Sequence, residues 1–176
     1  MPSPPAFSIS TRINALVMTA LLLGLAAPGM ASPPTVDCAR PIERPSILLR
    51  VTGFKRQTGI VNVWVYGSNP NDFLAKDKRI LRLAYPVPPA GPIEACIAVA
   101  GPGRFAIAVH HDVESNGKRD MSDGLGFSGN PRLSILRLKP TYAKALFVVD
   151  GATKPVNLIL SYRYGLSIRP VSPQAR

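Results

Sequence analysis

Apolar side chains recur at every second position along much of this chain. Ile47, Leu49 and Val51 alternate with Leu48 and Arg50, and Val61, Val63 and Val65 alternate with Asn62, Trp64 and Tyr66. The same period marks Ile80 to Tyr85, Ile93 to Val99, Phe105 to Val109, Ala145 to Val149 and Val156 to Tyr162. Each run is short, rich in β-branched or aromatic residues, and bounded by Gly, Pro, Asn or Asp, as half-buried strands are. No long amphipathic helix is evident; Asn69 to Leu74 predicts only a helical turn. About seven such strands predict an all-β fold, a single antiparallel sandwich of immunoglobulin-like or transthyretin-like kind over residues 46–168. Prolines fall between the runs, in Pro86-Val87-Pro88-Pro89 and Gly91-Pro92, where a missing N–H costs no ladder bond. The Pro-containing stretch 169–176 is expected to be a loose tail.

Positions 1–31 obey a different pattern. Arg12 precedes an apolar stretch from Ile13 to Ala27, followed by Pro28, Gly29 and small residues ending at Ala31. That order predicts a secretory signal cleaved after Ala31. The apolar run falls short of the roughly 20 residues of a membrane span, so no span is expected once the signal is removed. The processed chain, about 145 residues and one domain in size, is expected in the periplasm or outside the cell. Export changes the reading of the two cysteines, Cys38 and Cys96: an even pair in an oxidising compartment predicts a disulfide tying segment 32–45 to a strand. Closing so long a loop contributes roughly 4 kcal/mol in the chain-entropy model.

Without Arg12, 20 basic residues face 10 acidic ones. In the cytosol that balance would point to nucleic acid. An exported chain meets lipid head groups, surface polysaccharides and acidic proteins instead, and nucleic acid is not expected as a partner. The cations are scattered, and the densest group, Lys76, Lys78, Arg79 and Arg82, encloses Asp77. A solvated positive surface is the plain reading. Polyanion binding is the alternative, and it predicts basic side chains gathered on one face with affinity falling steeply in salt.

Chemistry concentrates in one segment. Four of the chain's ten carboxylates lie between Asp112 and Asp123, beside His110 and His111. An EF-hand calcium loop takes side-chain oxygens at positions 1, 3, 5, 9 and 12, a backbone carbonyl at 7 and a Gly at 6. Counted from Asp112, those places hold Glu114, Asn116, Asp120 and Asp123, with Gly117 at the turn and Lys118 offering its carbonyl. The fit is incomplete: Asp123 stands where a bidentate Glu is usual, Arg119 adds charge beside Lys118, and a strand rather than a helix comes before Asp112. The expected ion is therefore Ca2+ held weakly, with Kd of about 0.1–1 mM. The competing reading is a metal-free loop tied by hydrogen bonds, since Asn116-Gly117 is a strong turn signal. Glycine-rich sequence continues as loop to Pro131.

Two letter matches fail on mechanism. Gly124, Gly126 and Gly129 satisfy G-x-G-x-x-G, but a dinucleotide site needs a helix to follow, and Asn130-Pro131 follows here. Gly126-Phe127-Ser128-Gly129-Asn130 lacks the last Gly of a nucleophile elbow and its strand-to-helix turn. A small hydrolase using His110 or His111 with Asp112 is the remaining catalytic reading. It predicts a cleft at those residues and a shifted histidine pKa.

Arg104 through Asp112, then Asn116-Gly117-Lys118, then Asp123 through Pro131 resemble bacterial exported proteins grouped as domain of unknown function 2141. The likeness extends to Gly59 through Tyr66, Phe73-Leu74 and Leu158 through Tyr162. The resemblance implies a sandwich in the periplasm or beyond and brings no established activity. Relatives commonly carry Asp or Asn where Glu114 and Ser115 stand, which weakens the metal reading for this chain. The expectation is a monomeric, non-catalytic binding or accessory module for an unidentified envelope or extracellular partner.

Overall fold

The computed structural model describes residues 44–171. Ten strands form: β1 Ser46–Thr52, β2 Ile60–Tyr66, β3 Leu81–Pro86, β4 Ile93–Ala98, β5 Gly103–Asp112, β6 Gly124–Phe127, β7 Leu146–Val149, β8 Thr153–Ile159, β9 Ser161–Tyr164 and β10 Ser167–Pro170. One helical turn, α1 Tyr142–Ala145, precedes β7, and short 3₁₀ turns cover Pro70–Asp72 and Lys76–Lys78. The first 3₁₀ turn lies in the segment expected to be helical, and Asn69 caps it by accepting the Asn71 N–H at 3.1 Å.

The strands make two sheets. The smaller has the order β4-β1-β8; the larger runs β10-β9-β6-β5-β2-β3, with β7 also pairing with β5. Alternation fixes which face each residue takes. Ile47, Leu49 and Val51 of the small sheet and Val61, Val63, Val65, Ile107 and Val109 of the large one are almost fully buried in one shared core. Burying each such aliphatic side chain contributes about 1.5–3 kcal/mol. Pro155 sits on β8, whose free edge does not require its missing N–H.

All seven expected strands are present. The sequence reading missed four features. β8 runs parallel to β1, the one parallel pair among the described strands of an otherwise antiparallel sandwich. The apolar run Val156 to Tyr162 is two strands: β8 pairs in the small sheet and β9 in the large one, and the chain crosses at the buried Leu160. Gly124–Phe127, expected as loop, is β6. Its glycines face the core beneath crossing side chains: a Cβ on Gly124 would lie 2.7 Å from the Tyr162 ring, and one on Gly126 would overlap Leu158. A Cβ on Gly129, where φ is +74°, would strike the Lys144 carbonyl. The three glycines of the rejected nucleotide motif thus serve backbone packing. Finally, the expected loose tail begins within β10, where Arg169 and Pro170 pair with Tyr162 and Ser161. Gly165, at φ +59°, turns the chain back, and the Arg169 guanidinium covers the Tyr164 ring at 4.2 Å.

The expected signal 1–31 and Cys38 lie outside the described residues. Cys96 is buried on β4 opposite Leu48. Among the described residues no helix is long and apolar enough to cross a membrane.

Candidate functional site

Strand β5 divides the adjacent histidines between the two faces of the large sheet. His111 faces the core, where its Nε2 lies 2.7 Å from the Thr58 carbonyl and its Nδ1 2.6 Å from the Tyr162 hydroxyl. A carbonyl can only accept, so Nε2 carries the proton and Nδ1 accepts from Tyr162. Both ring nitrogens are satisfied in the neutral form, and burial pushes the His111 pKa below its ordinary value. Burial likewise raises the Tyr162 phenol.

His110 points the other way. Its Nε2 donates to Asp123 Oδ2 at 2.9 Å, and its ring stacks near Trp64, with centroids 6.1 Å apart. The carboxylate that meets a histidine is therefore Asp123, eleven positions beyond Asp112, the residue the hydrolase reading assigned. Asp112 touches neither ring through a hydrogen bond; its oxygens accept from the Asn116 N–H at 3.2 Å and the Gly117 N–H at 2.7 Å.

The remaining loop residues follow the same logic. Asp123 also accepts from the Val113 N–H at 3.2 Å and the Asp120 N–H at 2.8 Å, so one buried carboxylate closes the loop onto β5. Asn116 accepts the Lys118 N–H at 2.8 Å, while its amide donates to Asp120 at 2.6 Å and to Glu114 at 3.5 Å. Gly117, at φ +72°, makes the turn expected of it. Of the six expected ligands, Asp112 and Asp123 are buried and directed at backbone donors, whereas Glu114, Asn116, Lys118 and Asp120 are exposed. Among the described residues, no three His, Cys, Asp or Glu side chains gather as a group able to hold a metal ion. Such carboxylate-to-N–H bonds are strong because the acceptor is charged, and they tie the loop internally.

A cleft of about 720 Å³ lies over the outer face of the large sheet, a size typical of small-ligand sites. Its floor follows from register. Trp64, Ala108 and Phe127 stand side by side across β2, β5 and β6, as do Asn62, His110 and Leu125. Ala108 is small, which leaves a hollow. The acidic loop raises one wall through Gly117 and Arg119, and the connection from β6 to α1 raises another through Leu138 and Lys139. Lys76 and Arg79 complete the rim.

The site is electropositive. Four cations line it and no carboxylate does. The Arg79 guanidinium lies 4.0 Å over the Trp64 ring and its Nε donates to the Tyr66 hydroxyl at 3.4 Å. That stacking pre-orients a planar fork of donors. None of the four cations forms an ion pair among the described residues. No Ser, Thr or Cys lines the cleft, and its one hydroxyl, that of Tyr66, accepts from Arg79.

Sequence reasoning missed this cleft. Lys76 and Arg79 belong to the basic group taken for scattered surface charge; its other members behave differently, with Lys78 paired to Asp77 at 3.6 Å and Arg82 donating to the Lys76 carbonyl at 2.7 Å. The available signal was Trp64, which alternation places outward on a central strand.

No curated protein and no solved structure matches the chain. Residues 49–157 match the family described as "Uncharacterized protein conserved in bacteria (DUF2141)". The match spans all of the floor, both walls and the whole acidic loop, and the chain belongs to this family.

Proposed function

We propose that this chain is an exported, non-catalytic binding module, and that its site is the cleft over the large sheet, taking an anionic ligand. One observation carries the reading: Lys76, Arg79, Arg119 and Lys139 surround an aromatic floor with no carboxylate to neutralise them. Holding like charges around one hollow is unfavourable, and an anion reverses that balance. At an effective dielectric of about 20, an anion roughly 5 Å from a cation gains about 3 kcal/mol before screening. The acidic loop serves this site as a wall held by its own hydrogen bonds. Gathering of cations on one face is what the polyanion alternative required, but their arrangement around a hollow favours a compact anion over a long chain.

Trp64 is the chain's single tryptophan, so its fluorescence reports on the cleft alone. Titration with inorganic phosphate and with citrate should change the emission saturably at constant ionic strength. Arg79→Gln or Arg119→Gln should weaken the response about 10-fold. A linear response that sodium chloride reproduces equally would defeat the reading.

Calcium at the Asp112–Asp123 loop is a separate proposal. The ion would have to win Asp112 and Asp123 away from the N–H groups of Val113, Asn116, Gly117 and Asp120. Calorimetry on the processed chain with calcium up to several millimolar decides it: saturable heat supports the ion, and its absence supports the hydrogen-bonded loop.

Export and the Cys38–Cys96 bridge are proposals of the same standing. They rest on the leader pattern and on the even pair of cysteines. Intact mass of the secreted chain checks both, through an N-terminus at Ser32 and a loss of two hydrogen atoms for a closed disulfide.

A further inference from the structure

The connection from β6 to α1 carries a feature that neither the core nor the cleft requires. Ser134 and Arg137 exchange two backbone hydrogen bonds, at 3.2 and 2.9 Å, making a two-residue hairpin with Ile135 and Leu136 at its tip. Such tips ordinarily carry Gly, Asn, Asp or Ser, whose backbones or side chains suit the turn. Here two large aliphatic residues project instead. Leu136 is 95% exposed, and Ile135 and Leu138 are 39% and 41% exposed.

The charge around the tip is one-signed. Arg132, Arg137 and Lys139 are exposed beside it, and the sequence holds no acidic residue between Asp123 and Asp150. None of the three cations forms an ion pair among the described residues. An apolar point ringed by cations complements a surface that is negative at its boundary and apolar beneath. A bilayer containing anionic lipid has that profile. A protein partner fits less well, because a stable interface covers about 800 Å² per side and a two-residue tip presents a point.

We propose that the Arg132–Lys139 hairpin is a membrane-docking tip. It seats Ile135 and Leu136 among acyl chains at the surface of an anionic bilayer, while Arg132, Arg137 and Lys139 meet head-group phosphates. Leu138 and Lys139 also line the cleft, so docking brings the mouth of the cleft to the lipid surface. The inference does not depend on what the cleft binds.

The test is flotation of the processed, exported chain with two kinds of vesicle: phosphatidylcholine alone, and phosphatidylcholine mixed with phosphatidylglycerol. Binding is expected only to the mixed vesicles and should weaken as salt rises. Ile135→Ser with Leu136→Asn should weaken it at least about 10-fold, the loss of one buried aliphatic contact or more. The same double variant should melt at or above the parent temperature, because both replacements suit a turn. Arg137→Gln with Lys139→Gln should lose about 10-fold and flatten the salt dependence. Val148→Ser, which removes an exposed aliphatic from β7, should bind like the parent. Three results would overturn the proposal: unchanged vesicle binding in the tip variant, a lowered melting temperature that shows Ile135 and Leu136 serve the fold, or a parent self-association that the tip variant abolishes while neither protein floats with vesicles.

Discussion

Replacing Asp123 with alanine tests how the acidic loop is held. The Asp123 carboxylate accepts from the Val113 N–H at 3.2 Å, the Asp120 N–H at 2.8 Å and His110 Nε2 at 2.9 Å. The Asp123 and His110 side chains are only 4% and 5% exposed. A hydrogen bond to a charged acceptor contributes about 1.5–3 kcal/mol. Three do not simply add, since water can enter once the carboxylate is gone; removing one partner of a buried pair costs about 3–5 kcal/mol. We therefore expect Asp123→Ala to cost about 4 kcal/mol. With a urea m-value of about 1.5 kcal/mol/M, the unfolding midpoint should fall by roughly 2.5 M. Asp123→Asn keeps one acceptor but turns an amide N–H₂ toward a donor, so about half the loss is expected. Asp120→Ala is the control: Asp120 is exposed and its side chain accepts one bond from Asn116, so less than about 1 kcal/mol should be lost. Urea unfolding followed by Trp64 emission and far-UV circular dichroism measures all three. If Asp123→Ala unfolds within 1 kcal/mol of the parent, the carboxylate does not hold the loop.

Three further outcomes are expected. Gly126→Ala places a Cβ against the fully buried Leu158 and should cost about 1–3 kcal/mol by overpacking, whereas Gly101→Ala, with nothing within 4 Å, should be nearly neutral in thermal melts. Because His111 is held below the usual histidine pKa, the unfolded chain takes up that proton first as pH falls below about 6.5. Its contribution is thus complete above that pH and is lost below it, by at most about 1.4 kcal/mol per pH unit, and an NMR titration of the His111 ring should show a midpoint below 6.5. Reduction of the proposed Cys38–Cys96 bridge should lower stability by up to roughly 4 kcal/mol, and a melt unchanged by reductant would remove the bridge from the account.

Period-two alternation made the sandwich legible because it reports burial directly. Where an apolar residue and a polar one take turns, only one sheet face can be inside, and Val61, Val63 and Val65 left no freedom. The same rule, continued along β5, sends His110 and His111 to opposite faces of the sheet. It failed at Gly124–Phe127, since glycine has no side chain to alternate, and the reason for those glycines lies 30 to 40 positions away in Leu158 and Tyr162. It failed again at Leu160, where an unbroken apolar run conceals a change of sheet. In the acidic loop, spacing singled out Asp112 and Asp123 but not the backbone N–H groups that their oxygens meet. Carboxylates at EF-hand spacing are also carboxylates at Asx-turn spacing, and sequence distance alone does not say whether an oxygen faces an ion or an N–H.

Alternation says which way a side chain points but not what stands above it, and the cleft depends on the second. Trp64 and His110 would be ordinary exposed residues on a bare sheet. They become the floor of a hollow because the long connection from β6 to α1 is folded over the outer face. Distant anchors fix that connection: Ser128 Oγ donates to the Ala145 carbonyl and accepts from the Ile107 N–H at 2.9 Å, and the Tyr142 hydroxyl donates to the Gly67 carbonyl at 2.9 Å. Each bond joins residues 17 or more positions apart, so no local window of sequence contains the information. Asp123 adds the link from the other side, since the carboxylate that closes the acidic loop is also the one that holds His110 at the cleft floor. A change that loosens the loop should therefore alter the cleft. Asp123→Asn should shift Trp64 emission in the folded protein even where the sandwich stays intact, and an unshifted spectrum would separate the two elements.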